Sequence, residues 1–165
     1  MKRPLTFALA PWRSGTEAGV DLNQEQEIDD LISQHTKALE SDPSNATAYL
    51  CRGIMHLRAF NFDRAITDFT KAIELNPKDA SAYTNRACAH YERAEYEDAT
   101  ADLNKALEIN AKSALAYCNL GWTYEAMGDE RKAIAHYLKA VEIDPSLEAA
   151  RDNLKLLGAT SEHKH

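Results

Sequence analysis

The sequence is poor in basic residues and has no long hydrophobic run. Its 165 residues include 19 Lys and Arg against 26 Asp and Glu, which gives a formal net charge of −7 at pH 7. Because a nucleic-acid-binding surface needs clustered positive charge, and the basic residues here do not cluster, that class of function is disfavoured. A membrane-spanning helix needs about 18 consecutive apolar residues, and the sequence contains no such run. The composition predicts one soluble globular domain.

Cysteine is also scarce. Cys51, Cys88 and Cys118 are odd in number and lack paired spacing, which is typical of reduced thiols in the cytoplasm rather than of a disulfide framework. The motifs of common catalytic sites are missing as well: there is no Gly-rich phosphate loop, nucleophile elbow or zinc-binding helix motif. We therefore expect no enzyme, no cofactor and no metal site.

The N-terminus carries basic residues but no acidic residue before Glu17. Its apolar stretch, residues 5–10, is shorter than the roughly 7 to 15 residues of a secretory signal, and Pro11 follows directly. A cytoplasmic location is predicted. An organellar presequence stays open as the alternative, because the segment is acid-poor and contains Arg3 and Arg13.

An internal repeat occupies the centre of the chain. Three consecutive segments of equal length align without a gap: 46–79, 80–113 and 114–147. Apolar residues recur at helical spacing in two blocks of each segment, and a short break such as Gly128-Asp129 separates the blocks. Each segment is therefore predicted to form a hairpin of two helices, and stacked hairpins form a repeat architecture.

The repeated residues resemble the tetratricopeptide repeat, whose signature is W-x2-L-G-x2-Y, then A-x3-F, and then A and P. The matching positions are Tyr49, Tyr83 and Tyr117 for Trp, Leu120-Gly121 for Leu-Gly, Phe69, Leu103 and Tyr137 for Phe, and Pro77 and Pro145 for Pro. The resemblance implies an all-α, right-handed α-solenoid of stacked antiparallel hairpins. The small residues Gly53, Ala87 and Gly121 would let the two helices of each hairpin approach closely.

The repeat also predicts the organisation of the flanks. Residues 25–43 look like the second half of a repeat, and Ser146 is the expected N-cap of a last helix. The expected parts are a mobile segment 1–22, a half-repeat helix 23–45, repeats 46–79, 80–113 and 114–147, a capping helix 148–158 and a flexible tail 159–165.

The resemblance implies a non-enzymatic scaffold that holds an extended peptide of a partner protein in a groove lined by the first helices. Asn85 and Asn119 lie one repeat apart, and an amide both donates and accepts, so they are predicted to bind the peptide backbone. Trp122 is the predicted, partly exposed anchor. The alternatives are a solvated amide or a bond within the helix for the asparagines, and packing between hairpins for the tryptophan. The other predicted groove residues are Leu50, Ile54, Cys88, Tyr91 and Cys118.

One feature narrows the class of partner, and two alternative functions remain. The carboxylate clamp of co-chaperone members needs Lys and Arg where this chain has Leu50, Ile54 and Leu115, so an acidic chaperone tail is not expected to bind. The second hypothesis is self-association, in which the groove holds another protomer or the chain's own "PLTFALAPW", residues 4–12. A third hypothesis, the adaptor part of an enzyme, has no internal support.

The histidines and carboxylates are interpreted structurally. His56 and His90 occupy the family's core tyrosine place, which favours hydrogen-bonded core histidines over metal ligands. Cys88 and Cys118 are interpreted as small hydrophobes rather than as redox or metal-binding thiols. The remaining carboxylates are expected on solvated outer faces: Asp29, Asp30, Glu95, Glu97 and Asp98.

Overall fold

A computed structural model describes residues 22–159 of the chain. Across this range the chain forms eight helices and no strand. The helices are α1 (Leu22–Ser41), α2 (Ala46–Arg58), α3 (Phe62–Leu75), α4 (Ala80–Glu92), α5 (Tyr96–Ile109), α6 (Ala114–Ala126), α7 (Glu130–Ile143) and α8 (Glu148–Leu156). The predicted all-α fold of helical hairpins is confirmed. The segments predicted to be mobile, apart from their inner ends at Leu22 and Ala159, lie outside the described residues.

The helices form two compact units that divide after Ile109. In the first unit, α2 packs on α1 and on α3, while α4 packs on α3 and on α5. In the second unit, α7 packs on both α6 and α8. We call α2–α3, α4–α5 and α6–α7 the first, second and third hairpins.

The first helix of each hairpin begins at a side-chain cap. Asn45, Asp79 and Ser113 occupy the same place in successive repeats, and each accepts a hydrogen bond from a backbone N–H of the helix that follows. Such caps satisfy backbone donors that have no partner inside the helix, and each contributes about 1 kcal/mol. The same position therefore starts the helix in all three repeats, although three different residues fill it.

The turn inside each hairpin needs a left-handed residue. Phe60, Ala94 and Gly128, which are also equivalent in the repeats, have φ of 59°, 61° and 81°. In each turn the next N–H returns to a carbonyl five residues earlier, as in Asn61 to His56 at 2.8 Å. This is a Schellman ending, which glycine adopts without strain, whereas other residues bear a cost of roughly 1–2 kcal/mol. Only the third hairpin has glycine at this place.

The two helices of a hairpin meet where a side chain from the second helix rests on a small residue of the first. A Cβ added to Gly53 would lie 2.6 Å from Cε1 of Phe69, and one added to Gly121 would overlap the ring of Tyr137. Phe69 and Tyr137 are fully buried. The predicted close approach at these small residues is thus confirmed. In the second hairpin the equivalent positions hold Ala87 and Leu103.

Buried ion pairs reinforce the first two hairpins. Arg52 Nη2 and Nε donate to the two oxygens of Asp68 at 2.7 and 2.8 Å, and Arg52 Nη1 donates to Thr36 Oγ1 at 3.2 Å. The second hairpin repeats this arrangement at the equivalent positions with Arg86, Asp102 and Thr70. Each arginine therefore joins three helices: the one that carries it, its hairpin partner and the helix before it.

The two end helices partly match the expected caps. Thr36 of α1 makes the contact that Thr70 makes one repeat later, as a half-repeat helix would. The predicted N-cap of α8, Ser146, is wrong, because the helix begins after Leu147. The reason is local: Ser146 N and Oγ both donate to Asp144 Oδ1, at 2.9 and 2.6 Å, so Ser146 belongs to the preceding turn.

The contact between Gly53 and Phe69 predicts a coupled pair of substitutions. Gly53→Ala should lower the free energy of unfolding by about 1–3 kcal/mol, because the new methyl group overlaps the buried ring. Adding Phe69→Leu copies the Ala87 and Leu103 pair of the second hairpin and should recover part of the loss. Urea unfolding of the single and double variants should give a favourable coupling above about 0.5 kcal/mol. Simple additivity of the two single effects would contradict this packing.

Candidate functional site

Three of the predicted groove residues lie on α4. Asn85 is partly exposed, and its Nδ2 donates to the carbonyl oxygen of Ser81, one turn earlier, at 2.8 Å. This hydrogen bond within the helix is one of the alternatives to peptide binding for Asn85. It uses one of two amide hydrogens, while the acceptor oxygen can still receive a bond. Cys88 and Tyr91 are both buried, at 5% exposure each.

The two aliphatic residues of the predicted groove lie on α2 and belong partly to the core. Leu50 and Ile54 are half-buried and pack against the buried cluster of Ala65, Phe69 and Ala89. Their remaining surface is apolar and carries no charge. This part of α2 can therefore contribute hydrophobic contact to a partner, but not an ionic one.

The remaining three residues lie on α6 and are buried. Cys118, Asn119 and Trp122 have exposures of 0%, 2% and 3%, and neither Asn119 nor Trp122 is without a partner. The expectation of a partly exposed Trp122 is wrong. One sign of this burial lies in the sequence, because α6 has no charged residue before Glu125.

The environment of the two buried thiols makes them unreactive. Burial raises the pKa of Cys88 and that of Cys118 to about 12. The thiolate, not the thiol, is the nucleophile and the metal ligand, and almost none is present at neutral pH. This supports the interpretation of these cysteines as small hydrophobes.

The histidines His56 and His90 occupy equivalent places but have different partners. His90 Nδ1 donates to Glu95 Oε2 at 2.7 Å, and this hydrogen bond lowers the pKa of Glu95. His56 is buried, its Nε2 is 3.9 Å from Asp68 Oδ2, and its Nδ1 has no hydrogen-bond partner within the described range. Burial lowers the pKa of His56, which outweighs the opposite effect of Asp68. Glu95 keeps 32% of its side-chain surface exposed, so it lies at a solvated face as expected and is also hydrogen-bonded to His90.

The third hairpin replaces the ion pair with stacked rings. Leu120 and His136 stand where the other hairpins have arginine and aspartate. The imidazole of His136 stacks on the ring of Tyr124, with 5.2 Å between centroids, and lies 6.1 Å from the ring of Tyr117. Burial lowers the pKa of His136, and the nearby Lys132 ammonium lowers it further.

Sequence reasoning missed the buried carboxylates Asp68 and Asp102, which are 4% and 6% exposed. The signal was present in the sequence. Threonine, arginine and aspartate follow one another at equal spacing, and the whole series recurs one repeat later. The three residues of each series fall on three successive helices. Because neighbouring helices pack together, such residues are candidates for hydrogen bonds with one another. These carboxylates hold the hairpins together and therefore position the first helices.

Comparison with protein families decides the identity of the fold. Models described as tetratricopeptide repeat match residues 46–79, 114–147 and 69–101, and a model described as TPR repeat matches residues 89–128. The chain belongs to the tetratricopeptide repeat family. Arrays of this repeat are scaffolds for binding proteins and are generally non-catalytic. A search of curated proteins finds no match.

Several solved tetratricopeptide structures are similar to this chain. The crystal structure of MamA is 28% identical with a TM-score of 0.75, and the match covers 85% of this chain and 84% of MamA. The TPR domain of Arabidopsis OM64 is 27% identical with a TM-score of 0.67, covering 68% of this chain and 93% of that domain. The first TPR of Spaghetti (RPAP3), bound to the HSP90 peptide SRMEEVD, is 25% identical with a TM-score of 0.67. That match covers 71% of this chain and 93% of the Spaghetti domain.

Hydropathy adds one further observation. Among the helices of residues 22–159, none combines the length and the apolar character that a membrane span requires.

The stacked histidine predicts a pH dependence of stability. Because the pKa of His136 is lower in the folded chain than its usual 6.5, the unfolded chain binds more protons as the pH falls. The neutral His136 side chain makes its full contribution to the free energy of unfolding above about pH 6.5. This contribution is lost progressively as the pH falls below that value. His136→Phe, which keeps a stacked ring, should reduce the loss of unfolding free energy between about pH 7.5 and 5.5 in urea titrations.

His35→Gln in α1 controls for the removal of a histidine elsewhere in the chain. An unchanged pH dependence in His136→Phe would show that protonation of His136 does not oppose folding.

Proposed function

We propose that this protein is a non-enzymatic adaptor that holds an extended peptide of a partner protein along the first helices of its hairpins. The observation that carries the proposal is Asn85, a partly exposed amide on α4 with an acceptor still able to bond a peptide N–H. The peptide-bound Spaghetti domain supports it, because that related domain binds a short peptide.

The chemistry of the helices favours an uncharged or apolar peptide. Leu50 and Ile54 offer apolar surface on α2, and Leu50, Ile54 and Leu115 stand where a carboxylate clamp needs cations. The chain as a whole carries a net charge of −7, which repels an acidic peptide. The three cysteines form no disulfide among the described residues, which supports a reducing compartment such as the cytoplasm.

The two amides are expected to contribute in different ways. Asn85 is accessible, whereas Asn119 is 2% exposed and already has a partner. A hydrogen bond between a bound peptide and the Asn119 side chain therefore requires the surface of α6 to become accessible first. Of the two amides that the repeat predicts to bind the peptide backbone, Asn85 is accessible, and Asn119 becomes accessible only when the surface of α6 is uncovered.

The test uses peptides that are selected from a random library for binding to the full-length protein. Asn85→Ala should weaken their binding by about 1–3 kcal/mol, roughly five- to 150-fold, because a peptide N–H loses its partner. Asn153→Ala is the matched control, since Asn153 Nδ2 makes the same bond to a carbonyl four residues earlier, Ala149, but on α8. Dissociation constants are measured by fluorescence anisotropy, with SRMEEVD as the acidic comparison peptide.

Equal affinities for wild type, Asn85→Ala and Asn153→Ala would contradict the backbone-binding role of Asn85. Tight binding of SRMEEVD would contradict the apolar selectivity. Asn119→Ala is measured beside them with its urea stability, because loss of a buried amide can also weaken the fold.

A second candidate function is a self-occupied or self-associating groove. The observation that favours it is the burial of Asn119 and Trp122, predicted peptide-binding residues that already have partners in a single chain. We propose as the occupant the N-terminal "PLTFALAPW", residues 4–12, which is apolar and extended-prone because of its two prolines. Another protomer is the competing occupant.

Deletion of residues 1–21 distinguishes the two occupants. If the segment competes for the groove, deletion should raise the affinity for selected peptides, because a competent surface that is rarely open lowers apparent affinity. Added synthetic "PLTFALAPW" should then inhibit the shortened chain. Light scattering gives the molecular mass of the full chain and of the shortened chain. If the shortened chain is a dimer and binds the selected peptides no more tightly than the full chain, a second protomer occupies the groove instead.

A further inference from the structure

The turn between α4 and α5 brings together three side chains that bind metals in proteins. His90 lies near the end of α4, Glu95 directly precedes α5, and Asp98 lies in the first turn of α5. One ligand atom from each, the imidazole nitrogen and two carboxylate oxygens, lies within 4.8 Å of the others. Two of them are already in contact, because His90 Nδ1 donates to Glu95 Oε2 at 2.7 Å.

We propose that His90, Glu95 and Asp98 form a binding site for a divalent transition-metal ion of the Zn²⁺ type. One imidazole nitrogen and two carboxylate oxygens are ligands that Zn²⁺ accepts, and three protein ligands leave a coordination position for water. The two carboxylates balance the charge of the ion. When the ion takes Nδ1, the proton that Nδ1 now donates to Glu95 leaves that nitrogen, and the neutral imidazole carries its proton on Nε2 instead.

The residues around the three ligands suit such an ion. The other imidazole nitrogen, His90 Nε2, faces the Asp102 carboxylate at 4.0 Å from Oδ2, which is beyond hydrogen-bond distance but on the side where a carboxylate commonly orients a metal-bound imidazole. Arg93 Nε pairs with Glu95 Oε1 at 2.9 Å, which holds that carboxylate and leaves Oε2 for the ion. Arg93 also pairs with Asp63, so its positive charge is balanced.

Comparison of the repeats shows that the fold does not require these ligands. In the first repeat the equivalent residues are His56, Asn61 and Arg64, and in the third they are Tyr124, Asp129 and Lys132. The combination of histidine and two carboxylates therefore belongs to the second repeat alone. A purely structural role for Asp98 as a first-turn acid predicts a small helix effect and no specific metal binding.

The test is isothermal titration of the full chain with Zn²⁺. We expect one saturable site that Asp98→Asn weakens by at least about tenfold, the size of effect seen when groups around metal sites are removed. Glu97→Gln is the matched control, because it removes the same charge from the neighbouring exposed residue of the same helical turn. His90→Gln is the second ligand variant.

Long-range ¹H–¹⁵N spectra of the imidazole rings identify the ligand directly. At a zinc concentration near the dissociation constant of the wild type, zinc should shift the His90 Nδ1 signal in the wild type and in Glu97→Gln. At that same concentration it should leave the signal of Asp98→Asn nearly unchanged. Equal affinity in Asp98→Asn and Glu97→Gln would overturn the proposal, since binding would then arise elsewhere, for example at the histidines 163 and 165 of the tail. The absence of saturable binding, or an unshifted His90 signal, would also overturn it.

Discussion

In the first and third hairpins, a side chain of the second helix rests on a glycine of the first helix. Phe69 above Gly53 and Tyr137 above Gly121 leave no space for a β-carbon. This contact sets how near the two helices lie and therefore which faces of α2 and α6 remain for other partners. The caps and left-handed turns keep each helix in register with that contact, because both recur at the same place in every repeat.

Polar and aromatic contacts complete the hairpins in two different ways. In the first two, an arginine donates to a buried aspartate, and truncating the arginine would leave the carboxylate buried and uncompensated. In the third, Tyr124 and His136 stack in the same place without a fixed charge. The hairpins thus share one backbone geometry although their interiors differ in charge.

The sequence predicted the helical hairpins well, because the repeat period, the small residues and the caps act locally and recur. It predicted the exposure of single residues poorly. Trp122 was expected to be partly exposed from its repeat position, yet it is 3% exposed, and the lack of charged residues before Glu125 in α6 was the one sign of this in the sequence. The bonds of Arg52 to Asp68 and Thr36 were missed because they join different helices, and only the equal spacing of the three residues would have revealed them.

The arginine bridges bear on how such a chain can grow by duplication. Residues 46–79 carry an arginine that needs a threonine in the preceding helix, an aspartate in their own second helix and a threonine, Thr70, offered to whatever follows. Tandem copies of this segment would therefore complete one another's bridges at every junction. The segment 114–147 has Leu120 at the position of the arginine, so it needs no threonine from the preceding helix. This segment can therefore end an array, but it does not continue the series of arginine bridges.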